Sequence, residues 1–166
     1  MAIEMLMKSP PRSSGNPDAV FCHSAKHDLE SLFYVLLYIC TFYYGPQAKI
    51  KSADLLKSHT SVPLMEWVDP SAFSRTFRSL GLLKLSHMAN FETTILAKIS
   101  AFFRPIIPGL ITLHEKMFPP SGRYAQSFLD NQITHSKMIE SFDEMIRAID
   151  NQVADAHPRK KSRHGI

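Results

Sequence analysis

The chain has 166 residues, of which 45% are hydrophobic and 20% are charged, and this composition is typical of one globular domain with a core. It excludes a chain that is disordered throughout. The formal net charge of +4 comes from Arg159, Lys160, Lys161 and Arg163 near the C-terminus, because the other fifteen Lys and Arg balance fifteen Asp and Glu.

That basic excess is confined to a short terminal stretch. A folded nucleic-acid-binding domain usually carries its positive charge on the fold itself, where it neutralises phosphates, so we do not expect nucleic acid as a partner. The tail "HPRKKSRH" at residues 157–164 fits a nuclear-localisation or nonspecific phosphate-binding patch, although a short terminal charge run is more often solvated chain.

The sequence also bears on the compartment. No stretch reaches the roughly 18 consecutive apolar residues that a membrane span needs, and the N-terminus lacks the pattern of a signal peptide. We therefore expect an intracellular protein, cytoplasmic or nuclear, with no membrane partner. Cys22 and Cys40 are too few for a disulfide framework and lie beside apolar or aromatic residues, which predicts reduced, packed thiols.

The most informative stretch is "HDLESLFYVLLYI", residues 27–39. It follows a Pro- and Ser-rich loop at residues 9–18, and it predicts a core helix because it is apolar on every face yet too short for a membrane. Asp28 stands where an N-cap or first-turn acid belongs. Gly45 and Pro46 are predicted to end the helix, with Gly45 in the left-handed cap position.

Four later stretches predict amphipathic helices, because their apolar residues recur at three- and four-residue spacings. The last of them has Thr134 as its expected cap and one apolar stripe, and residues 151–166 after it are predicted to be a disordered basic tail. No alternating run predicts a strand, so the expected fold is all-α. The stretches are residues 69–80, 90–103, 108–118 and 134–150, and the stripe consists of Met138, Ile139, Phe142, Met145, Ile146 and Ile149.

Local motifs for chemistry are weak or missing. His23 and His27 with Cys22 have the spacing of zinc ligands on a helix, but ordinary polar histidines are the favoured interpretation. His27 and Asp28 do not form a general-base pair, because adjacent helical residues point in different directions. The glycines are never closer than 13 residues apart, so no glycine loop could hold a phosphate.

Three consecutive pieces of the sequence resemble the fungal-type protein kinase domain, a family distantly similar to casein-kinase-like enzymes. They are "MAIEML" at residues 1–6, the Pro- and Ser-rich loop, and "HSAKHDLESLFYVLLYICT" at residues 23–41. In that family the first piece ends the activation segment and the third is the central helix of the C-terminal lobe. Trp67, the stretch ending in "LHEKMFP" and the closing helix also look similar, so the resemblance extends to about residue 149.

The resemblance implies two structural roles. Glu4 matches the glutamate of the Ala-Pro-Glu-type motif, which pairs with a buried arginine of a later helix, and Arg104 and Arg147 are both candidates for that arginine. Asp28 matches the central-helix aspartate, whose carboxylate accepts hydrogen bonds from the backbone of the catalytic loop.

The sequence departs from that family in its chemistry. Kinases need a glycine-rich loop, a strand lysine, a catalytic aspartate with its asparagine, and an Asp-Phe-Gly aspartate for magnesium. The chain has none of these motifs, and the resemblance places them before Met1. We therefore expect residues 1–150 to be a partial helical C-terminal lobe without the N-terminal lobe or catalytic loop.

The resulting prediction is a truncated serine/threonine protein kinase domain that is inactive as this chain. The intact family uses ATP and Mg²⁺, but no residue here is assigned a catalytic, cofactor-binding or metal-binding role. An alternative stays open. A central helix that is incompletely covered would expose three or four large side chains, and a noncatalytic interaction module could bind another protein there. A weaker alternative is a nucleic-acid binder acting through the tail, whose binding would fall with salt.

Overall fold

The computed structural model describes Ala2, Ile3, Leu6 and residues 24–45, 62–67, 76–118 and 133–156; of residues 155 and 156 it describes the backbone alone. These residues form helices and no β-strand, which confirms the predicted all-α fold. The helices are α1 (Ala25–Phe42), α2 (Pro63–Glu66), α3 (Phe77–Ala89), α4 (Phe91–Thr94), two 3₁₀ segments (Leu96–Lys98 and Ala101–Ile106), α5 (Ile107–Met117) and α6 (His135–Ala156). None of the described helices is long and apolar enough to cross a membrane.

Helix α1 begins earlier and ends differently than the sequence predicted. Ser24 is its N-cap, and Asp28 lies in the first turn, so the first-turn alternative is the right one for this acid. Tyr43 rather than Gly45 caps the C-terminus, and its N–H donates to the carbonyl of Ile39 at 3.1 Å. Gly45 follows with a φ of +157°, which is outside the left-handed cap conformation expected for it.

Helix α1 has two apolar faces, and only one of them is buried. The inner face supplies Leu29, Phe33, Leu37 and Cys40 to the core. The outer face of α1 consists of Leu32, Val35, Tyr38 and Ile39, all of which are exposed. This agrees with the expectation that three or four large side chains of this helix would lack cover.

The core forms where α1 meets α4 and α5. Phe33 is fully buried, and its ring lies 5.9 Å from that of Phe91 and 6.3 Å from that of Phe118, measured between centroids. Leu110 and Leu113 of α5 are also fully buried in the same cluster. The aromatic side chains thus join the first helix to the segments around residues 91 and 118.

The predicted single helix over residues 90–103 is wrong. The chain forms α4 and then two 3₁₀ segments instead. The Thr94 hydroxyl donates to the carbonyl of Asn90 at 2.7 Å, and the Ser100 hydroxyl donates to the carbonyl of Tyr43, also at 2.7 Å. Such side chains compete with the helical backbone for hydrogen bonds, so apolar spacing alone overestimates helix here. Ser100 also ties this segment to the end of α1.

The two later helices agree better with the sequence. Helix α5 covers most of the predicted 108–118 stretch. Thr134 caps α6 as predicted, because its hydroxyl accepts from the N–H of Lys137 at 3.3 Å. However, α6 continues to Ala156, so residues 151–156 are helical and do not belong to a disordered tail. Of the predicted 69–80 helix, residues 69–75 lie outside the described residues, and α3 runs on to Ala89.

The predicted single stripe of α6 is divided in the structure. Met138 and Met145 are buried against the body of the protein, and Gly109 lets Met145 approach so closely that an added Cβ would lie 2.5 Å from its Cγ. Ile139 and Ile146, in contrast, are exposed. Helix α6 therefore carries one apolar strip that holds it in place and a second strip that faces outward.

Candidate functional site

A buried group of polar and aromatic side chains links the N-terminal residues to three helical segments. We call it the Glu30 cluster; it consists of Glu30 and Tyr34 of α1, Trp67 after α2, and Lys84 and His87 of α3. Glu30, Tyr34 and Lys84 are each buried. Buried charged groups are costly unless they are paired and hydrogen-bonded, so their arrangement needs a physical reason.

Glu30 supplies the acceptor at the centre of this cluster. One of its carboxylate oxygens, Oε1, accepts from the backbone N–H of Ile3 at 2.7 Å and also from the hydroxyl of Tyr34. Burial raises the pKa of Glu30, and the two hydrogen bonds and the charge of Lys84 oppose that effect. Burial also raises the pKa of Tyr34, so its hydroxyl keeps its proton and acts as the donor.

Lys84 lies over two aromatic rings. Its Nζ is 4.3 Å from the ring centroid of Tyr34 and 5.0 Å from that of Trp67, which is the geometry of a cation–π contact. Burial lowers the pKa of Lys84 to about 8, and the nearby Glu30 carboxylate acts in the opposite direction. The aromatic faces and the carboxylate together offset part of the cost of burying this ammonium group.

Trp67 extends the cluster along the same face of α3, from Lys84 to His87. Its Nε1 donates to Nδ1 of His87 at 2.9 Å, so the proton of the neutral imidazole belongs on Nε2. The Trp67 ring also meets the Tyr34 ring edge to face, with 5.1 Å between the centroids. Burial lowers the pKa of His87, which favours this neutral form.

The arrangement holds separate segments of the chain together. The Glu30 oxygen that accepts from Ile3 and Tyr34 has two lone pairs, and both hydrogen bonds use it. The cluster fixes the backbone of residue 3 on α1 and fixes α3 beside it.

A cavity of about 390 Å³ lies beside α4 and α5. His114 lines it and stacks on Phe91, with 4.2 Å between ring centroids and 1° between ring planes. Its Nε2 pairs with the carbonyl of Met88 at 2.9 Å, so Nε2 carries the proton and donates. Burial lowers the pKa of His114. Both ring face and Nε2 are therefore used in packing, which favours a structural role.

Of the residues that suggested zinc, His23, His27 and Cys22, the structure describes His27. His27 is buried, and its Nδ1 accepts from the N–H of Ser24 at 3.0 Å, which closes the start of α1. Cys40 is buried too, and burial raises the pKa of its thiol to about 12, in line with the predicted packed thiol. Cys22 and His23 lie outside the described residues, and the described part of the chain contains no group of His, Cys, Asp and Glu that could hold a metal.

The structure describes only some of the residues carried over from the family resemblance. Asp28 is exposed on the first turn of α1, and the two arginine candidates, Arg104 and Arg147, are exposed on different segments. Glu4 lies outside the described residues, so its pairing stays a prediction. The same holds for the basic patch of Arg159, Lys160, Lys161 and Arg163.

We expect Asp28→Ala to lower the free energy of unfolding by less than about 1 kcal/mol, the usual contribution of an exposed acid near a helix N-terminus. Thermal unfolding followed by far-ultraviolet circular dichroism measures this loss. The exposed Glu92→Ala substitution in the first turn of α4 is the matched control. A loss above about 2 kcal/mol would show that Asp28 accepts from buried groups, and would contradict its exposed position.

Sequence reasoning missed the Glu30 cluster. The available signal was Glu30 itself, a charged residue inside an otherwise apolar helix, with Tyr34 four residues later on the same face. Lys84 gave no such signal, because α3 was predicted only as far as Leu80. Its partner on α1, Glu30, lies 54 residues earlier in the chain (84 minus 30), so no local pattern connects the two.

In a comparison with protein families, residues 1–40 match the family described as fungal protein kinase. No curated protein and no solved structure matches the chain. The resemblance to that family is therefore confirmed for residues 1–40. The sequence analysis had extended it to about residue 149, and the match does not cover that longer stretch. The matched part contains residue 3 and nearly all of α1, which are the segments that Glu30 joins.

Proposed function

We propose, from the match of residues 1–40 to the fungal protein kinase family, that this chain is a portion of the C-terminal lobe of a serine/threonine kinase. The observation that carries the proposal is the hydrogen bond between the Ile3 N–H and Glu30. It joins the two stretches that resemble the end of the activation segment and the central helix. The Glu30 carboxylate is buried and accepts from a backbone N–H that lies 27 residues earlier in the chain. This hydrogen bond stabilises the packing of the two stretches against each other in one fold.

The second part of the proposal is that these 166 residues do not transfer phosphate by themselves. Phosphoryl transfer depends on positioning the nucleotide, on magnesium and on a base or water-positioning residue. The sequence contains none of the motifs that hold ATP and Mg²⁺ in the family. The role proposed for this part is to support the fold of the lobe.

A phosphate-transfer assay tests the absence of activity. The purified chain is incubated with radiolabelled ATP, Mg²⁺ and casein, beside an intact kinase as the positive control. We expect no label on casein above that of a heat-denatured sample. Transfer above that level would show that the chain carries its own catalytic groups.

The kinase placement has a separate test. The genomic sequence before Met1 is translated in frame and across introns, and we expect it to encode Asp-Phe-Gly and catalytic-loop motifs. A stop codon close to Met1 with no such motif in any spliced frame would remove the placement in a kinase lobe, whatever the assay shows.

The outer face of α1 favours a second candidate function, a noncatalytic interaction module. Val35 is 53% exposed, and Leu32, Tyr38 and Ile39 are exposed beside it. Exposed apolar patches of this kind often mark protein-binding surfaces. Thermal unfolding separates the two candidates. A cooperative transition, with fixed near-ultraviolet signals from Trp67 and the tyrosines, favours an independent module; a broad loss of helix favours a fragment of a larger lobe.

A further inference from the structure

The outward strip of α6 is regular. It consists of Ile139, Ile146 and Val153, which are 59%, 56% and 45% exposed, and we call it the α6 stripe. The three residues are seven positions apart, which is close to two helical turns, so they lie in one line with about 10 Å between neighbours. Large apolar side chains scattered singly over a surface need no explanation, but an aligned row on one helix does.

The α6 stripe also continues inward. Phe142 and Ile149 are half-buried and lie between the stripe and the core. Together with the stripe they give apolar residues at 139, 142, 146, 149 and 153, which is the alternating three- and four-residue spacing of coiled-coil a and d positions. Met138 and Met145, on the other side, hold α6 to the body. A second helix could therefore pack on α6 without displacing the contacts that hold α6 in place.

The outer edge of the α6 stripe is acidic. Asp143 and Asp150 each follow a stripe isoleucine by four residues, so they border it on the side away from the body, and both are exposed. The nearest cation on the helix, Arg147, lies farther round from the stripe by the helical period. A helix that packs on this surface would thus meet two carboxylates along one edge.

These charges argue against a second copy of the chain. An antiparallel pair centred on Ile146 would match the three apolar positions, but it would bring Asp143 of each copy against Asp150 of the other. A parallel pair would direct these acids toward the edge that carries Met138 and Met145, which the body of the protein already covers. Both arrangements are unfavourable.

We infer that the α6 stripe binds an amphipathic helix of another protein, with apolar residues at heptad a and d positions and with Lys or Arg at the flanking positions that face Asp143 and Asp150. The apolar row supplies the buried contact. The acids supply orientation and select against acidic helices. This surface is on α6, so the inference depends neither on the kinase placement nor on the outer face of α1.

The test uses two synthetic 21-residue peptides with Leu at every a and d position. One has Lys at the flanking positions and the other has Glu there. Binding of each fluorescent peptide to the full chain is measured by anisotropy at two salt concentrations. We expect the Lys peptide to bind at least about tenfold more tightly than the Glu peptide, with a difference that shrinks as salt rises.

Two variants and one control locate the binding site. Ile146→Asp should abolish binding, while the control Glu144→Ala, at an exposed position on another side of α6, should leave it unchanged. The double change Asp143→Lys and Asp150→Lys should reverse the preference between the peptides. Both positions are exposed, so this double variant should fold and can test the inference even if Ile146→Asp unfolds the protein. Equal binding of both peptides, no binding of either, or self-association lost in Ile146→Asp would overturn the inference.

Discussion

Glu30→Ala is expected to lower the free energy of unfolding by about 2 to 5 kcal/mol. The substitution leaves the N–H of Ile3 and the hydroxyl of Tyr34 without their acceptor in a buried place. It also takes a carboxylate away from the buried Lys84. Losing one partner of a buried charged group costs more than the interaction itself contributed, because the remaining groups stay out of water. Urea unfolding of the purified chain, followed by circular dichroism, measures the loss.

Two companion variants show which part of Glu30 matters. Glu30→Gln keeps an oxygen that can accept from Ile3 and Tyr34 but removes the charge beside Lys84, so an intermediate loss of about 1 to 2 kcal/mol is expected. Glu140→Ala, on the exposed surface of α6, should change the free energy of unfolding by less than about 0.5 kcal/mol. If Glu30→Ala costs no more than Glu140→Ala, the cluster does not hold residue 3 on α1.

The sequence was sufficient to predict α1, because every residue from 32 to 39 is apolar or aromatic and a helix of that length fits a core. It could not show which face would be covered. Leu32 and Phe33 are both large, apolar and adjacent, yet the first is exposed and the second is fully buried. That difference depends on where Phe91 and Phe118 come to lie, which no local pattern contains.

The same limit explains α6. The spacing of its apolar residues predicted the helix, and Thr134 predicted its start. The pattern could not show how much of the apolar surface the neighbouring segments cover. Ile139 was therefore placed on one stripe with Met138, whereas in the structure Met138 is buried and Ile139 is exposed. Secondary structure follows from the neighbours in the chain, whereas the extent of burial follows from the elements that pack against the helix.

The candidate site was harder still to predict. Asp28 drew attention through the family resemblance, and its first-turn position was within the predicted alternatives. Glu30, two residues later, carries the contacts that the structure shows. The donor to Glu30 is the backbone N–H of Ile3, which almost any residue type would supply at that position. The sequence therefore contains no pattern from which this hydrogen bond could be predicted.

Phe33→Ala is expected to lower the free energy of unfolding by about 3 to 5 kcal/mol. Phe33 is fully buried on the inner face of α1, and its ring contacts join that helix to the segments around Phe91 and Phe118. Truncation loses the transfer free energy of the ring and leaves a cavity that aromatic neighbours held in place by other contacts can fill only in part. Thermal or urea unfolding measures the change, and a loss of near-ultraviolet signal would show that the aromatic packing loosens as well.

Val35→Ala is the matched control, because Val35 lies two residues later on the outer face of the same helix. At 53% exposure its loss should stay within about 0.5 kcal/mol, and the higher helix propensity of Ala offsets part of it. A large effect at Phe33 and a small one at Val35 would mean that α1 is packed on one face only. A loss at Val35 of about 1.5 kcal/mol or more would instead mean that the outer face is covered in solution, since that is the scale for burying such a side chain.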